Sequence, residues 1–323
     1  MNTPAFWYRP AGVLASVLTP LGWLYAGATA WRLARGEAAR LSVPVICVGN
    51  LTAGGAGKTP IVRDLAARLA VRGRTAAILS RGYGGRERGP LRVDPTTHRA
   101  ADVGDEPLLL ASDATCWIAA DRADGGRAAV DDGAEIIVMD DGLQNAALEQ
   151  DLRLIVADGP AGFGNGHAIP AGPLRETVAH GIARAHALIV VGEDRSGLAD
   201  LAGRLPILSA RLEPRDADWL AGARVAALAG IGRPDKFRET LSAAGAEVAA
   251  FKVFPDHHPY AASELDAFAA EAEHLGAIPV TTEKDWVRLA PDWRARIRPV
   301  IVGLVWRQPA AIESLLDRVT DRG

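Results

Sequence analysis

The sequence predicts an α/β fold: a mostly parallel sheet with helices on both faces, a second and smaller α/β unit, and an N-terminal membrane-associated helix. Three observations predict it. Short β-branched apolar runs alternate with helical stretches through the first two-thirds of the 323 residues. A second, shorter alternation follows a polar break near residues 213–219 (EPRDADW). The first forty residues carry an uncharged run of their own. The expected units are therefore 1–40, a membrane-associated helical segment; 41–214, the larger α/β unit; and 215–323, the smaller α/β unit.

Residues 10–31 contain no charged side chain, and a helix needs about 20 residues to cross a bilayer core. Arg9 precedes the run, and Arg32, Arg35 and Arg40 follow it; with Glu37 as the single acid, residues 1–40 carry a net charge of +3. Trp7, Tyr8, Trp23, Tyr25 and Trp31 supply rings suited to a headgroup interface. A cleaved export signal would need a small-residue site such as Ala28-Thr29-Ala30, but the segment that follows reads as a cytosolic nucleotide site. A spanning helix, a helix lying in one leaflet and a buried packing helix remain, and membrane association is the favoured reading.

Residues 42–50 (SVPVICVGN) contain Val43, Val45, Ile46 and Val48, a run suited to a buried parallel strand. After the loop LTAGGAGKTP, Ile61, Val62, Leu65, Ala66 and Leu69 recur at helical spacing up to Gly73. A glycine-rich segment between a strand and a helix is the context of a phosphate loop, so the sheet is P-loop NTPase-like. Glycines let backbone N–H groups close around phosphate oxygens, and the helix start adds partial positive charge. Lys58 can reach the outer phosphates and the Thr59 hydroxyl can ligate Mg2+. The common GxxxxGK[ST] pattern has glycine where this chain has Thr52, so the loop is a variant, and Gly49-Asn50 can supply the turn. Thr52, Gly54, Gly55, Ala56, Gly57, Lys58 and Thr59 are the expected ATP contacts.

Residues 134–144 (AEIIVMDDGLQ) form a second buried-type strand ending in Asp140-Asp141, where an acid beside a phosphate loop organises Mg2+. Further strands are expected at 76–80, 116–120, 152–157, 187–191 and 207–210, then in the smaller unit at 249–254, 278–281 and 300–305. The segment GIGRP (230–234) lacks the GK[ST] signature and carries no phosphate site of its own. Asp105 stands in a turn that introduces an apolar helix, as a cap or a proton acceptor. His257 and His258 are adjacent, and the residues alone leave open which one acts. Arg81, Arg86, Arg88 and Arg92 form a basic cluster suited to a phosphate or to anionic headgroups.

The composition excludes other classes. A net charge of −3 argues against a generally basic nucleic-acid binder. Cys47 and Cys116, far apart and outside any CxxC pair, argue against a zinc cluster or a disulfide framework. No protein partner is evident.

In order along the chain, GNLTAGGAGKTP (49–60), SRGYGG (80–85), GDEP (104–107), DDGLQ (140–144), PAGPLRE (170–176), FPDHH (254–258) and TEKD (282–285) follow the apolar segment. Taken together, they resemble the tetraacyldisaccharide 4'-kinases, the lipid A 4'-kinase family of Gram-negative bacteria, over nearly the whole chain. The resemblance implies transfer of the γ-phosphate of ATP to the 4'-hydroxyl of an acylated disaccharide 1-phosphate glycolipid at the cytoplasmic face of the inner membrane. It implies Asp105 as the acid that activates the hydroxyl and selects His257 as its partner. It implies Glu106 beside Asp140 near the metal, and Tyr83, Asp141, Arg122 and Glu176 around nucleotide and substrate. Leu143 and Asn145 stand where family members often carry Phe and His. A switch or chaperone NTPase that regulates a protein partner shares the loop and the acidic strand; GDEP, FPDHH and the apolar segment favour the kinase. A fold that has lost its activity is disfavoured by the presence of Lys58, Thr59 and Asp140.

Overall fold

The computed structural model describes residues 4–320. Helix α1 (Val13–Arg35) takes up the uncharged run and continues through Pro20. Its buried residues are small: Ala15, Gly22, Ala26 and Thr29. A Cβ on Gly22 would stand 2.8 Å from the Ala168 carbonyl oxygen, so glycine lets the helix lie directly on that loop. The opposite face leaves Val13, Val17, Leu21, Trp23, Leu24 and Trp31 exposed.

The first unit then alternates as the apolar runs predict. It comprises β1 (Val45–Gly49), α2 (Lys58–Val71), β2 (Ala76–Ser80), β3 (Leu91–Arg92), α3 (Ala100–Val103), α4 (Asp105–Ala111), β4 (Cys116–Ile118), α5 (Arg122–Asp131), β5 (Ile136–Asp140), β6 (Leu152–Asp158), α6 (Val178–Arg184), β7 (Ala187–Val191), α7 (Leu198–Ala202) and β8 (Ile207–Pro214). The smaller unit has β9 (Arg224–Ala229), α8 (Pro234–Ala243), β10 (Glu247–Val253), α9 (Ala262–His274), β11 (Ile278–Thr282), α10 (Glu283–Trp286), α11 (Pro291–Arg294) and β12 (Arg298–Val300), and the chain ends in β13 (Val302–Trp306) and α12 (Pro309–Thr320).

Two sheets result. The larger runs β13-β8-β7-β6-β1-β5-β2-β4-β3, parallel except at its two edges, where β13 and β3 are antiparallel to their neighbours. The smaller, β10-β9-β11-β12, is wholly parallel. Alternation within β1 explains the two-faced large sheet: Ile46 and Val48 enter one apolar core, Val45 and Cys47 the other. The single strand expected at 300–305 is in fact two. β12 pairs with β11 in the small sheet, and β13 crosses back to pair with β8 in the large one. The apolar run gave no sign of the break at Ile301, since both halves are equally β-branched. β1 lies between β5 and β6, so the loops at their carboxyl ends open into one crevice.

Candidate active site

The phosphate loop leaves β1 and enters α2, which begins at Lys58 with Gly57 as its cap in a left-handed conformation (φ 83°). Gly54 is also left-handed (φ 117°). Asn50 supplies the internal bracing. Its side-chain amide donates to the Gly54 carbonyl at 3.1 Å and to Thr52 Oγ1 at 3.4 Å, and its oxygen accepts from Lys58 Nζ at 3.2 Å. Thr52 is buried and bridges to Leu174, so the residue that replaces the usual glycine anchors the loop to the 170–176 segment. Ala56 is buried; Gly54 and Gly55 are exposed.

Asp140 and Asp141 end β5 beside this loop. Asp141, left-handed at φ 55°, lies 3.5 Å from Lys58 Nζ and receives Arg175 on both oxygens at 3.0 and 2.9 Å. Burial works to raise its carboxyl, but the charges of Lys58 and Arg175 hold it below the usual range. Asp140 behaves oppositely. It is buried, one oxygen has no partner, and the other meets only Ser80 Oγ at 3.5 Å. Burial, then the negative charge of Glu106, pushes it up to about 7 against the pull of Lys58. Among the described residues no three His, Cys, Asp or Glu side chains form a ready-made metal cluster. A cation held by one or two carboxylates, a hydroxyl and nucleotide oxygens fits this arrangement, and the orphaned Asp140 oxygen is the observation that favours it.

Across the cleft, α4 begins with Asp105 and Glu106. Its cap, Gly104, has φ 92° and lies so close to the Tyr83 carbonyl that a side chain would collide. His257 comes from the loop after β10, left-handed at φ 60° with its N–H on the Gly230 carbonyl at 3.2 Å. Its Nδ1 meets Asp105 Oδ2 at 2.9 Å. Asp105 is buried, which works to raise its carboxyl, but the hydrogen bond from His257 and the charges of Lys284, His257 and Arg288 together hold it below the usual range. An ionised carboxylate only accepts, so Nδ1 carries the proton. Lys284 Nζ lies 3.5 Å from His257 Nε2 and 3.2 Å from Glu106 Oε1. Burial works to lower the Lys284 ammonium, but Glu106, Asp105 and Asp256 hold it charged. Tyr83, largely exposed, meets the His257 ring edge-on at 6.2 Å. His258 turns away to Glu264 at 2.8 Å.

Two expected substrate residues point inward. Glu176 is fully buried and binds Gln144 (2.9 Å), His180 (3.0 Å) and Arg184 (2.5 Å); Gln144 in turn holds the Asn50 carbonyl at 3.1 Å. Arg122 is buried, donates to the Ala119 carbonyl and has one nitrogen unpartnered. Thr59, half-buried, sits at the second residue of α2. Of the basic cluster, Arg86 pairs with Asp102 and Glu87, and Arg92 with Asp132. The sequence assigned no role to Lys284, Asp285, Arg288 or Arg175, although TEKD and PAGPLRE contain three of them. Asp285, fully buried, accepts from the Gly230 N–H (3.0 Å), Tyr260 (2.6 Å), Thr282 (2.6 Å) and Arg288, and so fixes the loop on which His257 rests.

Comparison with known proteins identifies the family. The family model for tetraacyldisaccharide-1-P 4'-kinase (LpxK) matches residues 14–321. The tetraacyldisaccharide 4'-kinase of Rhodospirillum centenum is 55% identical over 98% of this chain and 96% of its own length. That of Gluconacetobacter diazotrophicus is 54% identical over 100% of this chain and 99% of its own. Among solved structures, LpxK from Aquifex aeolicus in complex with ATP superposes with a TM-score of 0.77 at 27% identity, covering 95% of this chain and 99% of that one. With matches of this extent in sequence and in fold, the chain belongs to the tetraacyldisaccharide 4'-kinase family, kinases of lipid A biosynthesis.

Proposed function

We propose that this chain transfers the γ-phosphoryl group of ATP to the 4'-hydroxyl of a tetraacyldisaccharide 1-phosphate, giving the 4'-phosphorylated lipid A precursor. The observation that carries the reading is the Asp105–His257 pair, 2.9 Å apart and contributed by different units, next to Glu106, whose charge acts on Asp140 together with that of Lys58. A sugar hydroxyl is a poor nucleophile at neutral pH; it needs alignment and a proton acceptor. Asp105, kept ionised, takes the hydroxyl proton, and His257 orients it through Nδ1. Lys58 and the loop N–H groups of residues 54–58 hold the β- and γ-phosphates, and Asn50, Thr52 and Arg175 brace that grip. Tyr83 and Asp141 line the cleft, while Glu176 and Arg122 act from behind it through Gln144 and the 119–122 turn.

Asp140, Glu106 and Thr59 would hold Mg2+. The ion supplies charge neutralisation of the transferring phosphate. Lys58 offsets part of the charge of Asp140, and Lys284 that of Glu106.

Asp105 is 3% exposed, and the groups covering it, His257 and Arg288, belong to the smaller unit. That unit, within 215–323, therefore opens to admit the sugar and closes to exclude water. The exposed bulky face of α1 enters the cytoplasmic leaflet of the inner membrane, bringing the cleft to its lipid substrate.

The test is incubation of purified protein with labelled ATP, Mg2+ and the acylated disaccharide 1-phosphate. Label on the 4'-oxygen is the expected result. ATP consumption at the same rate without glycolipid, and no labelled sugar, would instead indicate a switch NTPase.

A further inference from the structure

Three short elements carry the groups assigned above. Lys58 and Thr59 begin α2, Asp105 and Glu106 begin α4, and Lys284 is the second residue of α10. Phosphoryl transfer requires these starts to be held in one register, because donor, acceptor and proton acceptor must be aligned together. Their backbones belong to two different units.

One side chain of α2 reaches both α10 and the turn that follows α4. Arg63 lies on α2, five residues beyond Lys58. Its Nη1 donates to both oxygens of Glu283, at 2.9 and 3.0 Å, and its Nε donates to Asp113. Glu283 opens α10 and immediately precedes Lys284, which reaches Glu106 and His257. Asp113 lies just past the end of α4, at the other end from Asp105. Glu283 also accepts the Val302 N–H at 3.3 Å, where the chain returns to the large sheet. The Arg63 and Glu283 side chains are 17% and 13% exposed, so this contact is largely shielded from solvent, unlike a surface ion pair.

We propose that Arg63 is a positioning residue for the transfer reaction: through Glu283 and Asp113 it ties the nucleotide-gripping helix to the two helices that hold the proton acceptor and its lysine. The inference rests on the kinase reading above and adds to it a mechanical link between the nucleotide and acceptor sides. Arginine suits the task because its rigid fork meets two carboxylates at once; an ammonium offers a single point charge. The polar contacts of Arg63 are to Glu283 and Asp113, and it is not one of the residues assigned above to ATP or to the sugar, so its removal is expected to lower turnover and spare nucleotide affinity.

The experiment is a double-mutant cycle on the full chain with R63Q, E283Q and the double variant, supplemented by R63K. Each single substitution is expected to lower kcat by about 10- to 100-fold while KM for ATP moves by less than about twofold. The double variant should be no slower than the singles, because both break one link. R63K should behave more like R63Q than like the parent. A second measurement needs no turnover: amide hydrogen exchange across 283–286 should slow on adding a non-hydrolysable ATP analogue with Mg2+ in the parent, and stay unchanged in R63Q. Unaltered kcat in R63Q, additive losses, or the same exchange protection in R63Q would overturn the proposal. If the parent phosphorylates no glycolipid, the functional reading fails, and the exchange measurement still decides the link.

Discussion

The role proposed for Asp105 requires a carboxylate that is ionised at working pH, and His257, Lys284 and Arg288 favour that state against its own burial. Asp105→Asn keeps the size and removes the acceptor; kcat should fall by about 10²- to 10⁴-fold with KM for ATP unchanged, measured by glycolipid phosphorylation at saturating ATP. Because its folded pKa is depressed, Asp105 contributes stability above its unfolded pKa that is lost as pH falls through the folded one. Asp140 has the opposite sign. Its folded pKa of about 7 exceeds the ordinary carboxylate value, so its contribution is full below that ordinary value and is lost as pH rises to about 7. Thermal melts without divalent cation should therefore weaken over that window, Mg2+ should restore stability most at and above neutral pH, and Asp140→Asn should flatten both effects. Lys58, Thr59 and Asp140 were legible in the sequence because strand, loop and helix signal them locally. Lys284 and Arg288 were not: their partners Glu106 and Asp105 lie more than 170 residues away, and no local pattern announces such a pair.

Elements divide their residues by face, and α1 does so by size. Its small residues lie against the protein and its large apolar ones point outward, the reverse of a core-facing helix. The uncharged run was plain in the sequence, whereas the direction of each face depends on the Ala168 loop that receives Gly22. Two substitutions separate the faces. Changing Leu21 and Leu24 together to Lys should abolish cosedimentation with anionic phospholipid vesicles and leave the melting temperature unchanged, since both side chains are already exposed; each buried leucine would otherwise contribute about 1.5–3 kcal/mol to membrane binding. Gly22→Leu should lower the melting temperature, because its side chain meets the Ala168 carbonyl. Retained vesicle binding in the double lysine variant would remove α1 from the membrane contact.

At the scale of the whole molecule, the two sheets are not joined by a single linker. The chain leaves the large sheet after β8, builds the small sheet and returns as β13 and α12. A linear reading of the sequence, in which units follow one another, does not reveal that return, because β13 pairs with β8 about ninety residues earlier. Trp306, Ile312, Leu315, Leu316 and Val319 are all buried in the same apolar core as Ile61 and Leu65 of α2. At about 1.5–3 kcal/mol for each large apolar side chain, five of them contribute about 7.5–15 kcal/mol, comparable to the whole net stability of an ordinary domain. Arg68 of α2 and Arg72, its C-terminal cap, add ion pairs to Glu313, and Trp306 donates to Asp64 at 2.8 Å. A chain ending at Ile301 should therefore lose the large unit as well as the connection: circular dichroism should show no cooperative melt, and nucleotide binding should vanish although every residue of the phosphate loop is still present. A truncated chain that melts cooperatively and still binds ATP would mean that the first unit folds without its returning strand, and that the segment 302–320 serves only to tether the smaller unit to it.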